Sequence, residues 1–299
     1  MKYNFPRTFV AVFAALLALA SCSPNDDVPT LPGNENGDDV YLYGWTESDP
    51  NQPAGEIRLN KVEYNPNQII SGIVQFVDKT EAGKRYTSEK FIYLDKKLVK
   101  RELYDQHDVR IDYIDYEYKD NRLFRTISYG FDANSRWYLS HIDTFQYNAS
   151  GQLAGNLVFV PGGDSYEAAR YVFEYSWVNG NATEMKHYRW EGDQRILTGY
   201  FKFLYGGVPN FYGQWFKNNL LAMRYGVPGI DIHYLSHDLC TERVNLHVQA
   251  YAADSTHFVY AFDENGLPKT RTETYKSVTQ SGTYGWSRRH TFEFRKRVQ

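Results

Sequence analysis

This 299-residue chain has little cysteine, proline or methionine, with 2, 11 and 3 residues respectively. Two cysteines allow one disulfide at most, so no disulfide framework staples the fold and packing has to hold it. After residue 22 no long Leu/Ala-rich face recurs at helical spacing, which leaves a helical bundle without its signature. Strong charge of one sign is missing too. The formal net charge is −3, and without residues 1–21 the count is 31 basic against 36 acidic side chains, or −5. A nucleic-acid-binding surface calls for a basic balance or a basic stripe. Only Arg288-Arg289 and Arg295-Lys296-Arg297 are locally basic, and they read as solvated strand ends. The paired C-x-x-C and H-E-x-x-H spacings of zinc sites are absent. Gly206-Gly207 and Pro161-Gly162-Gly163 are not followed by the Lys-Ser/Thr of a phosphate loop, so both read as turns.

What the chain has in plenty is aromatic side chains, 17% of all residues including 26 Tyr. Such rings fit the half-buried, pleated surface of a sheet. With 42% hydrophobic residues there is material for a core. The composition points to an all-β protein.

The first residues are an exception to that composition. Lys2 and Arg7 precede an almost unbroken apolar run from Phe9 to Ala20. The run is shorter than the roughly 20 residues that span a bilayer, and reads as the core of a signal peptide. Leu19-Ala20-Ser21-Cys22 follows, and resembles the lipobox of bacterial lipoproteins. The resemblance implies that Cys22 is acylated and becomes the mature N-terminus, holding the protein on a membrane. Asp26-Asp27 close behind it is similar to the surface-export signal of Bacteroidota-type lipoproteins, although the position directly after Cys22 is Ser23. Residues 22–38 are rich in Pro, Asn, Asp and Gly and read as the lipidated Cys and a flexible tether. The expected organisation is a signal peptide over 1–21, this tether, and one repetitive β domain over 39–299 with an irregular insertion near 204–258.

The domain repeats one unit: two aromatic or apolar residues two positions apart, a polar turn, then a second alternating run. Taking the second residue of each pair as the marker aligns Tyr64, Tyr93, Tyr118, Tyr147, Tyr175, Phe203, Phe262 and Phe294. The spacings are 29, 25, 29, 28, 28, 59 and 32, and the 59 predicts one degenerate unit between Phe203 and Phe262. Residues i and i+2 share one face of a strand, so Val62, Phe91, Tyr116, Phe145, Phe173, Phe201, Tyr260 and Phe292 are expected beside the markers on the buried side. Lys119-Asp120-Asn121, Asn148-Ala149-Ser150-Gly151, Asn179-Gly180 and Asp263-Glu264-Asn265-Gly266 supply hairpin turns. Two strands per unit predict about 14 to 16 antiparallel strands in a meander. That is too many for a flat open sheet, so the prediction is one strongly curved, barrel-like or wrapped sheet. A lipid-facing barrel is disfavoured by charges on both strand faces, as in Lys97-Leu98-Val99-Lys100-Arg101-Glu102.

The tyrosine hairpins resemble YD-type repeats. Asn265-Gly266-Leu267-Pro268-Lys269-Thr270, the final Phe292-Glu293-Phe294 and Phe216-Lys217-Asn218-Asn219-Leu220-Leu221 are similar to stretches of Bacteroidota lipoproteins of unknown function. Asp rarely follows the marker Tyr directly, in departure from YD repeats proper. The resemblance implies a cell-envelope β domain and carries over no functional residue.

The densest chemistry is Asp231, His233, His237, Asp238 and Cys240, with His247 beyond. Imidazole, carboxylate and thiolate are zinc ligands, but His233 and His237 share a face only on a helix, in a stretch of strand character. These are expected as loop or core residues, with no metal. Asp112, Asp115, Glu117, Asp143 and Glu174 are carboxylates among aromatics, the residue type of a glycosidase pair. Alternation accounts for them as the polar face opposite the rings. Phe211, Tyr212, Trp215 and Phe216, beside the break in the repeat, are the candidate ligand-binding residues.

The expectation is a non-enzymatic, lipid-anchored binding or structural module of the outer membrane, surface-exposed, with a glycan or envelope protein as partner. It names no catalytic residue, cofactor or nucleic acid. The alternative is a carboxylate- or metal-dependent hydrolase acting on envelope or extracellular polymers.

Overall fold

The computed structural model describes residues 40–50, 58–66, 69–77, 84–131, 136–162, 168–212, 232–246, 253–279 and 282–296. Sixteen strands follow in chain order: β1 Val40–Ser48, β2 Arg58–Tyr64, β3 Ile70–Phe76, β4 Arg85–Leu94, β5 Lys97–Tyr104, β6 Arg110–Lys119, β7 Arg122–Phe131 and β8 Trp137–Tyr147. The second half continues with β9 Leu153–Val160, β10 Ala169–Val178, β11 Asn181–Glu191, β12 Gln194–Pro209, β13 Asp238–Leu246, β14 Ala253–Phe262, β15 Pro268–Thr279 and β16 Gly282–Lys296. Each strand pairs antiparallel with its sequence neighbours, and β1 pairs with β16 to close a barrel. The all-β meander is thus a closed barrel, which leaves no sheet edge along its wall.

Local chemistry explains the hairpins. Asp95-Lys96, Asp120-Asn121 and Asn179-Gly180 each put two consecutive residues at positive φ, the geometry of a two-residue turn whose twist matches the flanking strands. At Asn148 and Asp263 the turn is longer, and the side-chain oxygen accepts from backbone N–H groups, Gln152 in one case and Asn265 and Leu267 in the other. All these turns lie at one end of the barrel, with the start of β1 and the finish of β16; we call it the near end.

The aromatic pairs line the inside, as the two-residue period requires. Val62, Phe91, Tyr116, Phe145 and Phe173 are buried in one core, with Phe201, Tyr260 and Phe292 packed against it. The choice of Tyr has a further cause. Tyr64, Tyr93, Tyr118 and Tyr147 donate their hydroxyls to the carbonyls of Leu42, Ile70, Leu98 and Leu123, each about one unit back along the chain. Trp177, Tyr205 and Tyr260 continue the series onto Leu153, Ala182 and Cys240. The structural repeat position therefore moves two residues past the markers Tyr175 and Phe203, and two before Phe262.

The predicted degenerate unit is corrected by the topology. The markers Phe203 and Phe262 sit on β12 and β14, separated by the single strand β13. The long spacing is one unit whose hairpin connection, 210–237, has been enlarged. Gly206 and Gly207 lie within β12 rather than in a free turn, where the pairing to β13 shifts register and Gly207 takes φ +70°.

The outward wall carries ion pairs between strands: Lys100–Asp115 at 2.9 Å, Glu102–Arg110 at 2.6 Å, Glu117–Arg125 at 2.6 Å and Glu174–Arg195 at 2.5 Å. A lipid-facing wall needs a continuous apolar band, and these charges interrupt one on β5–β7 and β10–β12. On β7–β10 the outward face also holds apolar cross-strand rows, Ile127–Ile142–Phe159 and Leu157–Val172.

Candidate binding site in the barrel interior

Sixteen strands enclose more space than wall side chains can fill. The chain fills the near half by folding both described ends of the β12–β13 connection, 210–212 and 232–237, inward. Phe211 is fully buried, edge-on to Tyr260, Phe262 and Phe292 at 6.1, 6.3 and 6.1 Å. Behind it a 3-10 turn, Ile232–Leu235, buries Ile232, His233 and Tyr234. Asn210 ties the two pieces together, donating from Nδ2 to the carbonyls of Tyr234 and Ser236, both at 2.9 Å. Ser236 anchors the turn to the wall, accepting from the Ala182 N–H at 3.0 Å and lying 2.7 Å from the Tyr205 hydroxyl.

Arg271, buried on β15, joins this plug to the far half of the interior. Its Nη1 donates to the hydroxyls of Tyr212 at 2.9 Å and Tyr234 at 2.5 Å, while Nη2 lies 3.1 Å from His290 Nε2 and 3.5 Å from Glu273. Burial works against the Arg271 charge, but Tyr212, Tyr234, Tyr260 and Glu273 outweigh it and keep the guanidinium protonated. A buried charge survives only with such a shell.

Beyond Arg271, toward the far end, the inward positions turn polar. Alternation from the core residues identifies them: Glu47 and Asn60 on β1 and β2, Gln75 and Glu89 on β3 and β4, Arg101 and Asp112 on β5 and β6. Thr126, Ser128, His141, Asp143 and Asn156 follow on β7–β9, then His187 on β11. Much of this charge is internally balanced. Arg101 Nε donates to Glu89 at 2.9 Å, and Asn60 donates to Glu47 at 3.2 Å while accepting from Gln75 at 3.0 Å. Burial raises the Asp112 carboxyl, with Arg101 opposing that shift.

The densest polar cluster centres on Asp143, which is 0% exposed. Burial pushes its carboxyl up to about 8, although the hydrogen bond from Asn156 and the nearby Thr126 hydroxyl pull the other way. Asn156 donates to Asp143 Oδ1 at 3.2 Å and accepts from the Tyr175 hydroxyl at 2.7 Å. His141 Nε2 lies 3.5 Å from Asp143 Oδ2, and burial lowers the His141 pKa. The Ser128 hydroxyl has no hydrogen-bond partner among the described residues. Serine, histidine and aspartate are the residue types of a hydrolytic triad, but Ser128 is 1% exposed and Asp143 fully enclosed. A nucleophile has to meet its substrate, and this one is sealed in the wall.

The residues singled out in the sequence fall in different places. Phe211 and Tyr212 are inside the plug, and Tyr212 touches the polar half through Arg271; Trp215, Phe216, Asp231, His247 and Cys22 lie outside the described residues. His233 is packed among Phe203, Tyr234 and Phe258 at 5.9, 4.3 and 5.3 Å. His237 pairs with Asp238 at 2.8 Å, and the buried Cys240 thiol donates to the Glu242 carbonyl at 3.2 Å. Among the described residues no group of three or more His, Cys, Asp and Glu is placed to hold a metal ion. Asp115, Glu117 and Glu174 take the outward face opposite the rings, as alternation predicts. Asp112 and Asp143 correct it: they share the inward face with Tyr116 and Phe145. A wide barrel needs only one half of each strand to pack, so the same face changes character along its length. The polar half was missed because a carboxylate two residues from a core ring looks, in sequence, like a strand end.

No family model matches the chain, and no curated protein matches it. Among solved structures it is similar to a porin-like protein from Bacteroides uniformis, with a TM-score of 0.48 and 11% identity over 85% of this chain and 96% of that one. A porin-like protein from Bacteroides vulgatus gives the same TM-score and identity, over 85% of this chain and 98% of that one. The similarity to the complex TcdB2-TccC3 has a TM-score of 0.31 and 11% identity, over 74% of this chain and 13% of that one.

Proposed function

We propose that this chain is a non-enzymatic, lipid-anchored glycan-binding module of the outer membrane, held through Cys22 and displayed on the cell surface. The observation that carries this reading is the division of the interior. One half is a packed plug, and the other carries paired charges, amides and hydroxyls that core packing does not require, sealed around Asp143 and open to solvent at the far rim. Such a lining, closed at one end, suits an uncharged ligand rich in hydroxyl groups, which exchanges hydrogen bonds with water for hydrogen bonds with the wall. Phe211 and Tyr212 serve the site as its floor, and Trp215 and Phe216 remain candidate contacts on the same connection. Because β1 begins at the near end, a tether attached there points the polar half away from the membrane.

The test is a thermal-shift series on the full-length lipoprotein in detergent against a panel of bacterial, plant and host polysaccharides. A saturable rise in melting temperature with one glycan class is expected, because binding to the folded state alone stabilises it. A flat response across the panel overturns the reading. Intact-protein mass spectrometry adds the anchor: acyl chains are expected on the wild type and lost in Cys22→Ala.

A further inference from the structure

At the far end, inward-facing side chains on β13–β16 form a grid. The first cross-strand row is Arg243, Thr256, Tyr275 and Trp286, and the next is Asn245, Asp254, Ser277 and Tyr284. The face is the inner one, because Tyr275 is four residues along β15 from Arg271, which reaches into the core. The grid divides by chemistry. On β15 and β16 the rings of Tyr275 and Trp286 stack at 5.7 Å and 20°, with Tyr284 at 6.5 Å from Tyr275 and Arg288 over Trp286 at 5.4 Å. On β13 and β14 the neighbours are a guanidinium, a hydroxyl, an amide and a carboxylate.

Core packing does not account for these rings, since Trp286 is 42% exposed and Tyr284 58%. They are also held in place. Asp254 and Ser277 lie beside the Tyr275 hydroxyl. A Cβ at Gly285 would stand 2.3 Å from the Tyr275 carbonyl, so glycine there lets β16 lie close against β15.

We propose that this lip is an oligosaccharide-binding subsite. A pyranose ring has an apolar face of C–H groups and an equatorial rim of hydroxyls. Laid on Trp286 and Tyr284, it presents its rim to the polar side chains of Asp254, Asn245 and Arg243, which exchange hydrogen bonds with its hydroxyls. Tryptophan and tyrosine supply this contact area at small entropic cost, having two rotatable bonds each. The inference rests on the glycan reading above and names the part of the interior that first meets the chain of sugars.

The test is titration calorimetry of the full-length lipoprotein with soluble hexasaccharides of glucose, xylose, mannose and N-acetylglucosamine. The expectation is saturable binding of one of them, with affinity lowered at least about tenfold in Trp286→Ala and in Tyr284→Ala. Trp137→Ala, on the outer wall, should leave it unchanged. If Trp286→Ala fails to fold, Tyr284→Ala decides, its ring being the more exposed. Binding that survives both substitutions overturns the lip while leaving the interior as the site. Wild-type protein that binds none of the sugars overturns both.

Discussion

The same sixteen strands line two interiors with opposite habits. In the near half, rings interlock around Phe211 and each hydroxyl of the tyrosine series reaches a carbonyl. In the far half, carboxylates, amides and guanidinium groups pair with one another, and rings at the lip face solvent. A barrel this wide cannot pack over its full height from wall side chains alone. The two described ends of one irregular connection pack into the near half. The difference teaches that stability and recognition have been separated along the barrel axis, so the two halves should answer differently to the same kind of substitution.

The largest effect is expected from Phe211→Ala. Deleting a fully buried ring at the centre of the plug should cost about 3–5 kcal/mol in urea unfolding. Tyr284→Ala at the lip removes an aromatic ring too, and should stay within about 0.5 kcal/mol of the wild type. Equal losses would erase the division of labour, because they would make the far rings part of the core.

Asp143 sharpens the boundary between the halves. Burial raises its carboxyl from 3.8 to about 8 in the fold. Between those values the folded chain keeps a proton that the unfolded chain has lost. Stability from this group is therefore greatest below about pH 4 and falls as pH rises toward 8, by at most about 1.4 kcal/mol per unit. Asp143→Asn removes the proton from the balance. Its urea stability should diverge upward from that of the wild type between pH 4 and 8, and run parallel to it above. Parallel curves throughout that window would mean that water reaches the carboxylate, and that the polar half extends lower than the geometry places it.

Much of the near half was legible in the sequence, and little of the far half. Asp120-Asn121 and Asn179-Gly180 specify their turns locally, and the period of two places Tyr116 and Phe145 inside without knowledge of the rest. Closure is different in kind. The pairing of Leu42 with Phe294 joins residues more than 250 positions apart, and no local pattern distinguishes it from an open wrap. The plug was hidden for the same reason: Phe211 and Tyr234 lie in a connection without strand periodicity, and their partners are on β14–β16. The markers Tyr175, Phe203 and Phe262 keep their places in or against the core, but the ring that meets a carbonyl there is Trp177, Tyr205 or Tyr260, because the aromatic pair alone does not say which ring reaches back to the wall.

That last point yields the smallest prediction, and the one most specific to the repeat. Tyr147→Phe keeps the ring and its packing, and removes one hydroxyl that donates to the Leu123 carbonyl at 2.7 Å. A buried hydrogen bond of this kind is worth about 1 kcal/mol net, so the urea midpoint should fall modestly with an unchanged slope. Tyr175→Phe is the informative partner. The alignment of markers treats the two tyrosines as equivalent, but Tyr175 donates to the Asn156 side chain at 2.7 Å and so supports the Asp143 cluster. Its loss should alter the pH dependence of stability as well as the midpoint, because Asn156 would no longer be held against the carboxyl. Tyr147→Phe should leave that dependence untouched. If both variants shift only the midpoint, the tyrosine series runs unbroken through β10 and the Asp143 cluster stands without it.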